Sequence, residues 1–179
     1  MTKPTVNLSE YNQEWKIQFA EERKLIVTAL GNRVKGIEHI GSTAIKGLKA
    51  KPIIDIMVAV EDVNIVSTLI APLKEIEYQY VPKAELIDRR FFRKEARGQG
   101  TCHLHLCEMD RKEWNEKLLF RDYLREHPDA AEKYASLKSQ LAVAYKYDRP
   151  MYTQQKEPFI KEVIEKAKNE MSQTLAVPR

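Results

Sequence analysis

Cysteine is nearly missing from this sequence: Cys102 and Cys107 are the only two among 179 residues. They fall on one predicted strand at positions of opposite parity, so they point to opposite faces. They form neither a CxxC motif nor a disulfide pair, which is the usage of a reducing compartment. Long apolar runs are missing too, and no stretch is long enough to span a bilayer. The N-terminal Met1-Thr2-Lys3-Pro4 leads into polar sequence and lacks the apolar core of a signal peptide. Cytoplasmic residence with no membrane partner is the expectation. There is no internal repeat and no low-complexity linker. What is left is one domain over 1–179, with a sheet-containing half over about 1–110 and a helical half over about 111–171.

Hydrophobic residues make up 43% of the chain and charged residues 31%, enough for a proper core without a disulfide or structural metal. The net charge is +4 and the isoelectric point is near 8.9. That mildly basic balance suits an anionic small molecule such as a nucleotide and does not require nucleic acid.

The pattern predicts a helix from about Asn12 to Leu30, with Trp15, Phe19, Ile26 and Leu30 near one face and Gly31-Asn32 as its stop. A strand is expected over Val34 to Ile40, followed by Gly41-Ser42-Thr43-Ala44-Ile45-Lys46-Gly47. Pro52 opens a second strand, Ile53 to Val60, apolar on both faces except at Asp55, as in a central strand covered on two sides. Asp62 reads as the N-cap of a helix burying Val66, Leu69 and Ile70. Short strand pieces, Tyr78 to Val81 and Phe91 to Lys94, surround a basic segment, and Gly98-Gln99-Gly100 marks a turn. Cys102 to Glu108 is a third clear strand. From Arg111 the chain is helical: to about Glu126, then Ala130 to Tyr147 with Tyr134, Leu137, Leu141 and Ala144 buried, then a last helix ending near Met171. Pro158 falls in the first turns of that helix and leaves its start open.

Three features point to chemistry. A glycine directly after a strand lets the backbone turn tightly, and Ser42 and Thr43 add hydroxyls beside N–H groups that suit a phosphate. Alone, such a loop also fits an ordinary turn. Asp55 interrupts an apolar strand; a buried unpaired carboxylate costs several kcal/mol, so it belongs at a strand end, beside a partner or on a metal. His103 and His105 are two apart on a strand and share a face about 6.6–6.8 Å apart, a spacing that lets two imidazoles converge on one ion or phosphate. Leu104 and Leu106 face the core with Cys102. Basic residues gather at Lys46, Lys49 and Lys51 and at Arg89, Arg90, Arg93, Lys94 and Arg97; Lys138, Arg149 and Lys156 lie in the helical half.

The segments His39-Ile40-Gly41-Ser42-Thr43-Ala44, Lys51-Pro52-Ile53-Ile54-Asp55-Ile56, Arg89-Arg90-Phe91-Phe92-Arg93-Lys94 and His103-Leu104-His105-Leu106 resemble the GrpB family in order. So do Tyr11 to Trp15 and a C-terminal pattern of Tyr134, Lys138, Leu141-Ala142, Asp148-Arg149, Tyr152, Lys156 and Phe159-Ile160. The resemblance covers nearly the whole chain. It implies an α/β (α+β) nucleotidyltransferase-like fold: a mixed β-sheet flanked by helices, with a C-terminal helical bundle. In some bacteria a similar domain is fused to dephospho-CoA kinase. The superfamily's Gly-Ser signature falls on Gly41 and Ser42, and its paired acids fall on Asp55 and Met57. Methionine does not ligate Mg²⁺, and the third acid of the pattern has only His103 and His105 near its position.

The resulting expectation is a protein that binds a nucleoside triphosphate, or another phosphorylated small molecule, with a divalent cation and transfers a nucleotidyl group to an acceptor. Asp55, His103 and His105 are the candidate catalytic residues and metal ligands. One carboxylate with two imidazoles suits Mn²⁺ or Zn²⁺ better than Mg²⁺. Gly41, Ser42, Thr43, Arg93, Lys138 and Lys156 are the candidate nucleotide-binding residues. Two alternatives stay open: a module that holds a nucleotide without turnover, and a metal-dependent phosphate-ester hydrolase.

Overall fold

The structure is a computed structural model describing residues 5–96 and 99–175, the side chains of 96 and 99–101 excepted. The expected turn at Gly98 and the basic Arg97 lie outside the described residues. Helix α1 spans Glu14–Leu30, and Asn12 caps it by accepting from the Glu14 N–H at 2.9 Å. It ends at Gly31, whose φ of 59° suits a residue without a Cβ. Strands β1 (Gly36–Ile40) and β2 (Ile54–Val60) form an antiparallel pair. Helix α2 (Val66–Glu75) follows a short 3-10 turn that Asp62 caps through the Asn64 N–H. It buries Leu69 and Leu73; Val66 and Ile70, expected in the core, are only half-buried. Strands β3 (Gln79–Tyr80), β4 (Arg89–Ala96) and β5 (Gln99–Glu108) complete a five-stranded sheet in the order β1-β2-β5-β4-β3. The β2–β5 pair is parallel and the other three pairs are antiparallel, so the sheet is mixed as expected.

Strand parity divides the two faces. Ile54, Ile56, Val58 and Val60 of β2 and Cys102, Leu104 and Leu106 of β5 pack with Trp15, Ile26, Leu30, Leu69 and Leu73 in the main core. On the opposite face Met57, Ala59, Cys107, Ile40 and Trp114 form a smaller apolar cluster. Asp55, His103 and His105 share that second face, at the end of β2 where the strand begins.

The helical half comprises α3 (Lys112–Glu126), α4 (Pro128–Ala144) and α5 (Arg149–Leu175), packed on one another around Phe120, Leu124, Tyr134, Val163 and Ile164. Two expectations are corrected here. On α4 the buried positions are Tyr134 and Lys138, while Leu137 and Leu141 are half-buried and Ala144 is exposed. The face of α4 turned inward meets the cleft as well as the core, and a lysine sits where the apolar pattern suggested a leucine. Pro158 lies within α5, not near its start. The helix begins at Arg149, where the Asp148 carboxylate accepts from the Met151 N–H at 3.0 Å. A proline inside a helix removes one backbone bond, and α5, continuing to Leu175, is long enough to absorb the loss.

Arg121 of α3 fastens the helical half to the sheet. It is buried and donates to Glu38 Oε2 at 2.6 Å, to the His39 carbonyl at 3.0 Å and to Asp122 Oδ1 at 2.7 Å. One turn on, Arg125 donates twice to the Ala44 carbonyl, at 3.0 and 2.7 Å. Replacing Arg121 by methionine keeps the apolar stem and removes these bonds. Glu38 and Asp122 are left partly solvated, so Arg121→Met should cost roughly 1–3 kcal/mol in urea unfolding. Arg111→Met, at a site 73% exposed, should stay within about 0.5 kcal/mol.

Candidate functional site

Asp55 is the second residue of β2 and stands directly opposite His103 of β5 and Ile40 of β1. Its Oδ1 lies 3.4 Å from His103 Nδ1 and 3.5 Å from His105 Nε2. Its other oxygen faces the loop: a Cβ added to Gly41 would stand 2.6 Å from Asp55 Oδ2. Gly41 has a φ of 73° as well, so both the conformation and the close approach demand glycine. Burial pushes the Asp55 carboxyl up, but His103 and His105 outweigh it and hold the group well below the usual carboxylate range. Burial pushes the His105 imidazole down, which favours its neutral form. Phe91 of β4 stacks edgewise against His103 at 5.1 Å and tilts over His105 at 5.3 Å, walling in the pair.

The loop is locked from behind. Thr43 is 2% exposed; its hydroxyl donates to the Ile53 carbonyl at 3.1 Å and lies 2.9 Å from His39 Nε2. With the hydroxyl proton committed to Ile53, the His39 Nε2–H is the donor in the second bond, and that fixes the tautomer. Burial drives the His39 pKa down to about 4, so the ring is neutral, and it stacks on Phe19 at 4.8 Å. The hydroxyl expected to meet a nucleotide at Thr43 is therefore used inside the loop. Ser42 keeps its hydroxyl in the cleft.

Cations arrive from the helical half. Lys138 of α4, 2% exposed, donates to Ser42 Oγ at 2.9 Å and to the Lys49 carbonyl. Lys51 and Lys156 flank the buried Tyr152 ring, at 5.4 and 4.4 Å from its centroid. Burial, with the charges of Lys156 and Lys51, takes the Lys138 pKa down to about 7. Burial and Arg149 take Lys51 down to about 8; burial and Lys51 do the same to Lys156. Among the described residues no carboxylate pairs with Lys51, Lys138, Arg149 or Lys156.

These groups line one cleft of about 610 Å³ between the sheet and the helical half, within the usual range for small-molecule sites. It brings together Gly41, Ser42, Thr43, Asp55, His103, His105, Lys138 and Lys156. Arg93 is the exception. It shares the face of His103 but is exposed and turns to Glu95 at 3.5 Å, and Arg89, tied to Glu113 at 2.6 Å, lines the cleft in its place. Pattern reading missed the convergence of Lys51, Arg149 and Tyr152, since it depends on how distant helices pack. A second cavity of about 690 Å³ lies behind the loop, bounded by Lys16, Lys46, Leu48, Leu124 and Arg125. It is the larger of the two, but Asp55 and the histidine pair are not in it.

The donor set argues against a ready-made metal cage. Both imidazoles address one oxygen of Asp55, and Met57, at the second acid position, is fully buried beneath Trp114. Among the described residues no group of three or more His, Cys, Asp or Glu side chains is arranged to hold a metal ion. A carboxylate introduced at Met57 would sit in an apolar cluster and cost several kcal/mol, so it would not restore an acid pair. No helix among the described residues is long and apolar enough to cross a membrane.

The GrpB protein family profile matches residues 5–166. The glutamate-rich protein GrpB of Alkalihalophilus pseudofirmus is 38% identical over 168 residues, covering 92% of this chain and 97% of that protein. The crystal structure of the conserved protein GrpB from Enterococcus faecalis superposes with a TM-score of 0.83 at 37% identity, covering 92% of this chain and 99% of that one. A dephospho-CoA kinase of Mycolicibacterium paratuberculosis is 26% identical; the match takes in 93% of this chain but only 47% of that enzyme. A cytoplasmic RNA terminal U-transferase matches with a TM-score of 0.52 at 14% identity over 72% of this chain, a likeness of fold alone.

The buried His39 gives the fold an acid sensitivity with a defined window. Its folded pKa, about 4, lies below the ordinary 6.5, so the unfolded chain takes up the proton first. The stability it contributes is complete above pH 6.5 and is lost as pH falls from 6.5 through 4, by about 3 kcal/mol. Thermal unfolding from pH 7 to 4 should show this decline, and it should be shallower in His39→Gln.

Proposed function

The chain belongs to the GrpB family, and from the geometry of its cleft we propose that it binds a nucleoside triphosphate with a divalent cation and transfers the nucleotidyl group to an acceptor hydroxyl. One observation carries this reading. The Gly41-Ser42 loop, the ionised Asp55 and four cations without carboxylate partners converge on the same cleft. Positive charge crowded along the cleft, with Lys138 buried and Lys51 and Lys156 half-buried, calls for an anion, and the loop would admit one close to the backbone.

The cation is read as part of the substrate. The protein side supplies one carboxylate, so most of the ion's oxygen ligands would come from the phosphates, as Mg²⁺ and Mn²⁺ prefer. Asp55 would receive it. In transfer, the acceptor oxygen forms a bond to the α-phosphorus, the bond from that phosphorus to the bridging oxygen breaks, and pyrophosphate leaves. The acceptor's proton needs a base. His103, with Nδ1 turned to Asp55 and its ring partly exposed, has Nε2 free to take it. Lysines at the phosphate end offset the charge that builds on the leaving group.

Met57 favours a second reading, in which the cleft holds the nucleotide without turnover, because a lone carboxylate supports cation-assisted transfer poorly. Labelled ATP, GTP, CTP and UTP with Mg²⁺ or Mn²⁺ separate the readings. Transfer releases pyrophosphate and labels an acceptor, and Asp55→Asn should reduce the rate by at least about 100-fold. Binding without turnover selects the second reading, and release of inorganic phosphate alone selects a hydrolase. No binding of any of the four nucleotides contradicts both the transferase and the holding reading.

A further inference from the structure

Lys51, Lys138 and Lys156 come from the segment before β2, from α4 and from α5, and they meet around Ser42 and Tyr152. Three ammonium groups share this end of the cleft without a carboxylate among them. The acidic side chains nearby are engaged elsewhere or stand apart. Glu113 pairs with Arg89, Glu116 with Lys168 at 3.1 Å, and Asp55 with the histidines. Glu157 is exposed at the rim, and Arg149 and Lys117 add further positive charge. Lys138 is turned onto two neutral oxygens, Ser42 Oγ and the Lys49 carbonyl.

We infer that this lysine cluster is a subsite for the terminal phosphates of a polyphosphate chain, and that filling it loads the lysines with protons, so that ligand affinity is coupled to pH. The inference rests on the nucleotide reading of the cleft and adds which end of the ligand lies where and what its binding does to the protein. The coupling follows from the geometry. Ammonium groups crowded together and taken out of water favour loss of a proton, and a polyanion between them reverses that preference. The lowered values of Lys138, Lys51 and Lys156 agree with the first half of this argument. Facing groups set the direction: Lys156 and Lys51 act on Lys138; Arg149 and Asp55 act on Lys51; Lys51, Asp55, Lys117 and Arg149 act on Lys156. Asp55 alone opposes the loss of protons.

The sign is fixed. At pH 8.5 the free protein has lysines without protons, and binding takes them up. At pH 6 the lysines are already charged, and uptake is near zero. Tight binding therefore falls away as pH rises from about 7 to 9. Phosphate, pyrophosphate and tripolyphosphate should bind in rising order, because each further phosphate reaches another cation.

Inorganic tripolyphosphate is the probe, since it has neither base nor ribose. Calorimetry in Tris and in Hepes at pH 8.5 and at pH 6 reads the protons exchanged on binding. Wild type should take up between about one and three protons per ligand at pH 8.5, less whatever the ligand itself releases. Lys138→Met should take up fewer and bind about tenfold more weakly or worse. Lys156→Arg keeps its charge at every pH, so, with its fold checked by circular dichroism, it should show a flatter decline of affinity from pH 7 to 9. A wild-type affinity independent of pH, with proton exchange unchanged in both variants, overturns the inference. So does inorganic phosphate binding as tightly as tripolyphosphate. If the four nucleotides bind and tripolyphosphate does not, the lysine subsite is refuted and the nucleotide reading stands. If tripolyphosphate binds with proton uptake and no nucleotide does, the subsite stands and the nucleotide reading falls.

Discussion

A charged carboxylate at the start of a central strand constrains most of what surrounds it. Asp55 sits between β1 and β5, with an apolar core on one face of its strand and Met57 and Ala59 following on its own face. Such a group, half-buried with its side chain 30% exposed, gains from partners, because desolvating an unpaired charge is costly. Two imidazoles at register positions on the neighbouring strand supply the partners. The third wall is the loop, which approaches so closely that only glycine fits at position 41. Gly41, Asp55, His103 and His105 are thus one geometric solution whose members depend on each other.

The helical half answers a second constraint. It covers the open side of the sheet through Arg121 and Arg125, which clamp β1 and the loop. It also delivers Lys138 and Lys156 to the cleft, where, among the described residues, neither forms an ion pair. A purely structural interface would pair or exclude these charges, because crowding ammonium groups out of water works against folding. Under the proposed reading that unpaired charge would receive an anion, and the Lys138–Ser42 bond would link the loop to it.

The chain pattern made the sheet side legible. Strand parity put Asp55 on a central strand, His103 and His105 on one face and Leu104 and Leu106 on the other, since side chains alternate with a period of two. The glycine after β1 and the stop at Gly31 were readable for the same local reason. The family resemblance extended that reading to Lys138 and Lys156 by position, without saying what they touch. What the pattern did not reach depended on tertiary packing. Arg93 shares the strand face of His103, yet it is exposed and turns to Glu95. Thr43 lies in the right loop, but His39 and Ile53 claim its hydroxyl. On α4 the apolar period nominated Leu137 and Leu141, and the buried position was Lys138, which no hydrophobic pattern selects. Lys51, Arg149 and Tyr152 meet only because α4 and α5 fold back over the strand.

The central claim is that an anion enters between the loop and the lysines while Asp55 receives its cation. A crystal structure with a non-hydrolysable nucleoside triphosphate and Mn²⁺ tests it most directly. The account predicts terminal phosphates between Ser42, Lys138 and Lys156, and an anomalous manganese peak about 2.2 Å from an oxygen of Asp55. Phosphates bound in the cavity behind the loop, or a manganese ion ligated away from Asp55, would contradict it.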